Sequence, residues 1–150
     1  MRAFLQRINS ASVIADGTPC GEIGFGLLIL LGVRVGDNKQ NAEKLAAKVA
    51  KLRIFNDIAG KMNLDINQVG GQALVVSNFT LYADSSHGNR PNYMNSAPPD
   101  SARELYEYFI AQLSKYVDMP IQCGVFGAHM EISTICNGPV SIMLEAETEV

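Results

Sequence analysis

Glu131-Ile132-Ser133-Thr134-Ile135-Cys136-Asn137-Gly138-Pro139-Val140-Ser141-Ile142-Met143-Leu144-Glu145 places a Gly-Pro pair inside a stretch that is otherwise apolar and β-prone. Two strands are expected, 131–135 and 140–145. Proline cannot donate a ladder hydrogen bond, so it belongs at an edge, a bulge or a strand start. The glycine before it reaches backbone conformations closed to other residues. X-Pro is also the linkage where a cis peptide lies only about 0.5–1 kcal/mol above trans. Read alone, Asn137-Gly138-Pro139 is a tight turn between two strands.

Working outward, 121–125 and 129–135 read as two further strand segments after Pro120. Towards the N-terminus, 73–81 is a strong strand, Ala-Leu-Val-Val-Ser-Asn-Phe-Thr-Leu. If it runs to its end, Ser77 and Phe79 share one face and Asn78 and Thr80 the other. Residues 26–35 form a nearly continuous apolar run, the pattern of a strand covered on both faces. Residues 3–8 read as the first strand. Residues 10–15 and 19–23 read as a hairpin around Asp16-Gly17, a favoured two-residue turn.

Two helices are expected. In the first, Asp37 caps and Gln40 completes a weak capping box. Ala42, Leu45, Ala46, Val49 and Leu52 share one face, and Lys44, Lys48 and Lys51 another. The second starts at Pro98-Pro99-Asp100 with Asp100 as N-cap. Its stripe is Ala102, Leu105, Phe109, Leu113 and Tyr116. Breaks are expected at 56–61 and at Gly70-Gly71. Residues 84–100 are polar and rich in Gly, Pro, Ser and Asn, a loop of functional or disordered length. The whole is α+β: many mixed or antiparallel strands with two helices packed on them.

The chain has 150 residues, expected to make one domain over 1–150. With 47% hydrophobic and 18% charged residues and a net charge of −3, it reads as a globular protein without a global positive field. That argues against non-specific nucleic-acid binding. Charge is uneven, however. Lys39, Lys44, Lys48, Lys51, Arg53 and Lys61 face only Glu43 and Asp57 within that stretch, and Glu145, Glu147 and Glu149 gather at the end. The lysine face is either a solvated helix side or a phosphate-contacting ridge. Cys20, Cys123 and Cys136 are an odd number without CxxC spacing, so buried free thiols are expected, with no zinc site. Residues 1–8 show no leader pattern and no apolar run is long enough to span a bilayer, so a cytoplasmic location without membrane contact is expected.

Familiar catalytic constellations fail. His87 and His129 are the only histidines. There is no GxSxG elbow, HExxH, Walker or GxGxxG pattern, and no pair of acids at catalytic spacing. No metal or cofactor is expected. What remains is Ser77-Asn78-Phe79-Thr80 at the end of a buried-type strand. It is either a strand leaving the core or a pocket lip, with hydroxyls, an amide and backbone N–H groups for a polar ligand and Phe79 as an apolar surface.

Six segments, in this order and spacing, resemble the D-aminoacyl-tRNA deacylases along essentially the full length. They are Gln6-Arg7; Gly21-Glu22-Ile23-Gly24 leading into Gly26-Leu27-Leu28; Arg53-Ile54-Phe55 with Gly60-Lys61-Met62-Asn63; Ser77-Asn78-Phe79-Thr80-Leu81; Gly88-Asn89-Arg90-Pro91; and Asn137-Gly138-Pro139-Val140-Ser141. The family's first pattern is Ser-Gln-Phe-Thr-Leu, and Asn78 stands here for the glutamine, one methylene shorter. At the second site Asn137 directly precedes the glycine, and Ser141 replaces a threonine.

The resemblance implies a barrel-like arrangement of mixed and antiparallel sheets and a homodimer with active sites at the interface. It implies hydrolysis of the ester joining a D-amino acid to the 3′-terminal adenosine of tRNA, with glycine also accepted. Ser77, Asn78, Phe79 and Thr80 become the catalytic wall. Gly138-Pro139 becomes a cis peptide inserted into the partner's pocket to exclude L-amino acids. Arg7, Met130 and Asn137 support the pocket, and Lys44, Lys48 and Lys51 are the candidate tRNA contacts. Selection by a main-chain clash would tolerate many side chains. Two mechanisms remain open: attack by Thr80, or orientation of the ester with backbone oxyanion donors and help from the adenosine 2′-hydroxyl. Two competing identities also remain: a sister deacylase admitting small L residues, and a non-catalytic module binding a tRNA end.

Overall fold

The computed structural model describes residues 1–148, so Glu149 lies outside the described residues. The strands are β1 (Arg2–Ala15), β2 (Thr18–Ile23), β3 (Gly26–Gly32), β4 (Phe55–Asn56), β5 (Met62–Leu64), β6 (Gln72–Ser77), β7 (Gln122–Cys123) and β8 (Met130–Glu145). The helices are α1 (Lys39–Lys51) and α2 (Pro99–Leu113), with a 3-10 turn at Phe79–Tyr82.

β1 and β8 carry the architecture. β8 pairs antiparallel with β1 from Arg2 opposite Glu145 to Ala15 opposite Met130. β2 and β3 lie end to end along the other edge of β1, β2 opposite 11–15 and β3 opposite 2–8. β6 pairs β3 in parallel, and β7 pairs β6 in parallel. Parallel neighbours need long crossovers. α1 with the β4–β5 hairpin makes the first, and α2 the second. The result is a nearly closed, barrel-like mixed sheet with two helices on it, as expected.

The curl produces two cores. On the helix side, Leu5, Leu27, Ile29, Leu31, Ala73 and Val75 meet Leu45, Val49, Leu105, Phe109 and Leu113. On the other face, Ile8, Val13, Ile23, Leu28, Leu74 and Val76 pack together under Met130 and Ile132. β3 and β6 are therefore apolar on both faces, which explains the unbroken apolar run.

The terminal strands differ from the expectation. The segments at 3–8 and 10–15 are one strand, and 131–135 and 140–145 are one strand. No turn separates either pair, because each long strand is held by the other. The breaks survive as irregular register: Gln6 faces Ser141, Ile8 faces Cys136 and Ser10 faces Ile135. Residues 137–140 therefore bulge out opposite Arg7, and Asn9 is the extra residue on β1. A bulge is where a strand admits proline. The Gly138–Pro139 peptide is cis, with Gly138 at φ +135.

β6 ends earlier than expected. Its last ladder pair is Ser77 with Leu31, and Asn78 N–H bonds the Leu31 carbonyl at 2.8 Å. The chain then turns over Gly32. A Cβ there would lie 3.0 Å from the Leu81 Cβ and 3.2 Å from the Asn78 carbonyl oxygen. Residues 78–80 therefore do not alternate between two faces. β7 is likewise only two residues long where 121–125 was expected.

The helix starts shift by small steps. Asn38, not Asp37, caps α1, in a reciprocal capping box with Asn41. Asp37 is taken up elsewhere: its carboxylate accepts from the Met1 ammonium at 2.7 Å and from the Arg34 N–H at 2.6 Å. In α2, Pro98 occupies the cap position without a side-chain bond, and Pro99 sits where a missing N–H costs little. Asp100 is inside the first turn, favourably placed for the helix dipole. Tyr116 lies beyond α2 and is exposed; Val117 closes the stripe instead. The cysteines are free, but none is fully buried, and Cys136 is exposed on the bulge's flank. Asp16 and Gly17 both have positive φ, as the expected hairpin turn requires.

Candidate active site

The 3-10 turn sits on Gly32 and is pinned from two sides. Arg2 Nη1 donates to the Leu81 carbonyl at 2.9 Å while its guanidinium lies 4.6 Å over the Tyr82 ring. Ser96 Oγ donates to the Phe79 carbonyl at 2.9 Å. Phe79 itself remains 58% exposed, its ring edge-on to Tyr93 at 5.1 Å. Thr80 Oγ1 donates to the side-chain oxygen of Asn78.

Beside this turn opens a cavity of about 710 Å³. Ser77, Asn78 and Phe79 form one wall and Met130 another, four of the expected site residues in one place. Met130 fits because Gly124 has no side chain: a Cβ there would fall 2.5 Å from the Met130 sulfur. Thr80 is exposed at the mouth of the turn and is not in the lining.

The loop at 84–98 and α2 complete the wall with Tyr93, Met94, Ser96, Pro98 and Tyr106, and Phe126 closes the far side. These residues escaped the sequence reading, which marked the loop's length but not its members. The aromatics Tyr93 and Phe126, each set in a Pro- or Gly-containing loop, were the available signal. The loop is ordered by its own bonds: Asp84 and Asn92 exchange two backbone bonds at 2.8 Å, Val35 N–H bonds Asn95 and Ala97 N–H bonds Val33. The Ser86 hydroxyl and N–H both bond the Asp84 carboxylate and hold its pKa below the ordinary value.

The lining is as informative for what it omits. Among the described residues it contains no carboxylate, histidine, cysteine, lysine or arginine. Of its two tyrosines, Tyr93 lies edge-on to Phe79, and Tyr106 is committed, donating to the Val75 carbonyl at 3.0 Å, with burial pushing its phenol far above the ordinary range. His87 lies in the exposed loop against Ser86, and His129 is exposed at the start of β8. No cluster of three or more potential metal ligands occurs among the described residues.

Arg7, Asn137, Gly138 and Pro139 form a second group on the β1–β8 ladder. None of them lines the cavity of the same chain. Arg7 is buried, with Nε donating to the Asn137 carbonyl at 3.1 Å. Asn137 Nδ2 bonds Asn9 at 2.7 Å. Gly138 and Pro139 project from this base and are exposed. A Cβ on Gly138 would lie 2.7 Å from the Val140 nitrogen.

Lys44, Lys48 and Lys51 are exposed on α1. With Ala47, Leu52 and Arg53 they line a shallow groove of about 470 Å³, separate from the cavity. No helix among the described residues is long and apolar enough to cross a membrane.

Residues 4–145 match the family described as D-Tyr-tRNA(Tyr) deacylase. A D-aminoacyl-tRNA deacylase of Thermomicrobium roseum is 52% identical over 146 residues, covering 97% of this chain and 94% of the relative. One from Deinococcus radiodurans is 50% identical over 145 residues, covering 97% and 99%. A solved structure of a c-Myc DNA unwinding element binding protein superposes with a TM-score of 0.92 at 35% identity, over 99% of this chain and 100% of the other. By sequence, over nearly its whole length, the chain belongs to the D-Tyr-tRNA(Tyr) deacylase family.

Proposed function

We propose that this chain is an aminoacyl-tRNA editing hydrolase. It cleaves the ester joining a D-amino acid to the 3′-terminal adenosine of tRNA, releasing free D-amino acid and tRNA. Glycine mischarged on tRNA(Ala) is a second substrate, because glycine has no side chain to be refused. Residues 1–150 act as one deacylase domain, in the cytoplasm, as a homodimer with its active sites at the interface.

The observation that carries the mechanism is a cavity lined, among the described residues, without a carboxylate, histidine, cysteine, lysine or arginine to serve as a base. A serine or threonine nucleophile needs a base within hydrogen-bond reach. Thr80 donates to an amide oxygen, which is no base at neutral pH. An aminoacyl ester is already activated, so placement and charge stabilisation supply the rest. Ser77 and Asn78 orient the aminoacyl group. Phe79 and Met130 give it an apolar wall. The Phe79 and Thr80 N–H groups, at the start of a short helix, are oxyanion donors. The adenosine 2′-hydroxyl assists the attacking water.

Gly138 and Pro139 act from the partner subunit as a main-chain wall. An L side chain strikes it, and a D side chain points away. Support comes from their projection out of the β1–β8 ladder, exposed and outside the lining of their own chain's cavity. Arg7 and Asn137 form the base of that wall. Lys44, Lys48 and Lys51 meet the RNA backbone through a local field on an otherwise acidic protein.

One assay tests the reading: incubation with D-Tyr-tRNA, L-Tyr-tRNA, L-Ala-tRNA and Gly-tRNA, following ester loss. Hydrolysis of the D and glycyl esters alone is expected. Loss of L-Ala-tRNA would assign the sister activity, and no hydrolysis would leave a binding module. Sedimentation at assay concentration should show a dimer.

A further inference from the structure

Arg7 is 93% removed from solvent, and no carboxylate pairs with it among the described residues. Its charge is met by three neutral acceptors: the Asn137 carbonyl at 3.1 Å, the Ile54 carbonyl at 2.8 Å and the Asn56 side-chain oxygen at 3.2 Å. Two of these come from the segment leading into the β4–β5 hairpin, far in sequence from β8.

That segment is anchored at both ends. Ile54 and Phe55 are buried, and Phe55 packs edge-on against Phe25 at 5.4 Å. The hairpin tip is tied by Asp57, whose carboxylate accepts from the N–H groups of Ala59 and Lys61 and whose N–H bonds the Lys61 carbonyl. Asn56 occupies the irregular step of the hairpin register, so its side chain leaves the ladder. It is the only side-chain acceptor on Arg7 among the described residues.

We propose that Asn56 is a positioning residue for substrate selectivity: it holds the Arg7 guanidinium in the orientation that fixes Asn137 and hence the Gly138–Pro139 wall. This rests on the reading of Gly138–Pro139 as the wall. A hydrogen bond to a charged group is directional and stronger than a neutral one. Arg7 Nη1 is shared between Ile54 and Asn56, and Nε reaches Asn137, so rotation about the last side-chain bonds breaks both ends together. The guanidinium also lies under Gly138: its Nη2 would be 3.3 Å from a Cβ there. A drift of Arg7 therefore moves the residue that must sit still. The absence of a carboxylate makes the brace depend on geometry, and Asn56 supplies the one side-chain acceptor in it among the described residues.

The test compares Asn56→Ala, Asn56→Asp and Gly138→Ala in the full chain. The readouts are the ratio of D-Tyr-tRNA to L-Tyr-tRNA hydrolysis and the solvent exchange of the Arg7 Nε–H by NMR. Asn56→Ala should lower the D/L ratio at least about tenfold and accelerate Arg7 exchange. Asn56→Asp, which restores an acceptor, should keep both near the parent values. Gly138→Ala, whose Cβ crowds Val140 and the Arg7 guanidinium, should lower the ratio whatever it does to Arg7 exchange. An unchanged ratio and unchanged exchange in a folded Asn56→Ala protein would overturn the proposal. Accelerated exchange with an unchanged ratio overturns it too, as does loss of selectivity that Asn56→Asp fails to rescue. If Gly138→Ala leaves the ratio untouched, the wall reading itself fails, and the role assigned to Asn56 falls with it.

Discussion

The hydroxyl of Thr80 donates to the side-chain oxygen of Asn78. The two residues are tied to each other across the first step of the 3-10 turn, and the cavity wall beside them holds no carboxylate, histidine, cysteine or lysine among the described residues. The short Asn78 side chain turns back onto Thr80.

Thr80→Ala should therefore keep deacylation of D-Tyr-tRNA within about tenfold of the parent, a change of roughly 1.4 kcal/mol in barrier. Loss of an obligate nucleophile costs on the order of 10⁶-fold. Single-turnover kinetics on the folded variant separate the two. Replacing the terminal 2′-hydroxyl of the tRNA by hydrogen should cost far more than the protein substitution does.

Gly32→Ala should damage the site without touching it. Its Cβ would press on Leu81 and the Asn78 carbonyl. Overpacking of this kind costs roughly 1–3 kcal/mol. Urea unfolding should show that loss, and kcat/KM should fall because the 3-10 turn must shift. Unaltered kinetics in a destabilised variant would mean that the turn absorbs the strain elsewhere.

The Met1 ammonium predicts a pH dependence of stability. Burial lowers its pKa from 8.0, and the Asp37 hydrogen bond only partly offsets this. Between the lowered folded value and 8.0 the unfolded chain binds more protons than the folded one. Stability from this group is complete above the unfolded value and is lost as the pH falls through the folded one. Asp37→Asn removes the offset, so the rise towards pH 8.0 should steepen. The variant should also lose up to about 1 kcal/mol near neutrality, since the unpartnered amine sheds its proton at a cost of about 1.4 kcal/mol per pH unit below its ordinary value. Urea midpoints across pH values from about 6 to 9 read both effects.

Binding of tRNA should weaken steeply with salt. Each phosphate contact contributes about 0.7–0.9 to the slope of log K against log salt. A Lys48→Ala, Lys51→Ala double variant should lower that slope and weaken binding of D- and L-aminoacyl-tRNA alike. A selective loss for one stereoisomer would place these lysines in the pocket's chemistry instead.

Much of this was legible in the chain. The apolar run 26–35 announced a strand buried on both faces, and Asp16-Gly17 a two-residue hairpin turn. The Ala42, Leu45, Ala46 and Val49 spacing announced the inner face of α1. Local patterns suffice there because each follows from the period of one element against one core. Ser77-Asn78-Phe79-Thr80 and Asn137-Gly138-Pro139-Val140-Ser141 were also visible as unusual segments, and with four other segments they carried the family.

Tertiary structure decided what local pattern could not. Propensity alone divides β1 and β8 into four strands. Their mutual pairing makes two, because a bulge costs less than abandoning the ladder that runs the length of β1, and residues 137–140 become a projection instead of a turn. Asn38 replaced Asp37 as the cap because Asp37 was claimed by the Met1 ammonium, 36 positions away in sequence. The strand at 73–81 stopped at Ser77 because its partner β3 ended at Gly32. The far wall of the cavity and the Asn56–Arg7–Asn137 brace join residues that share no local period. Only the closed sheet brings them within hydrogen-bond reach.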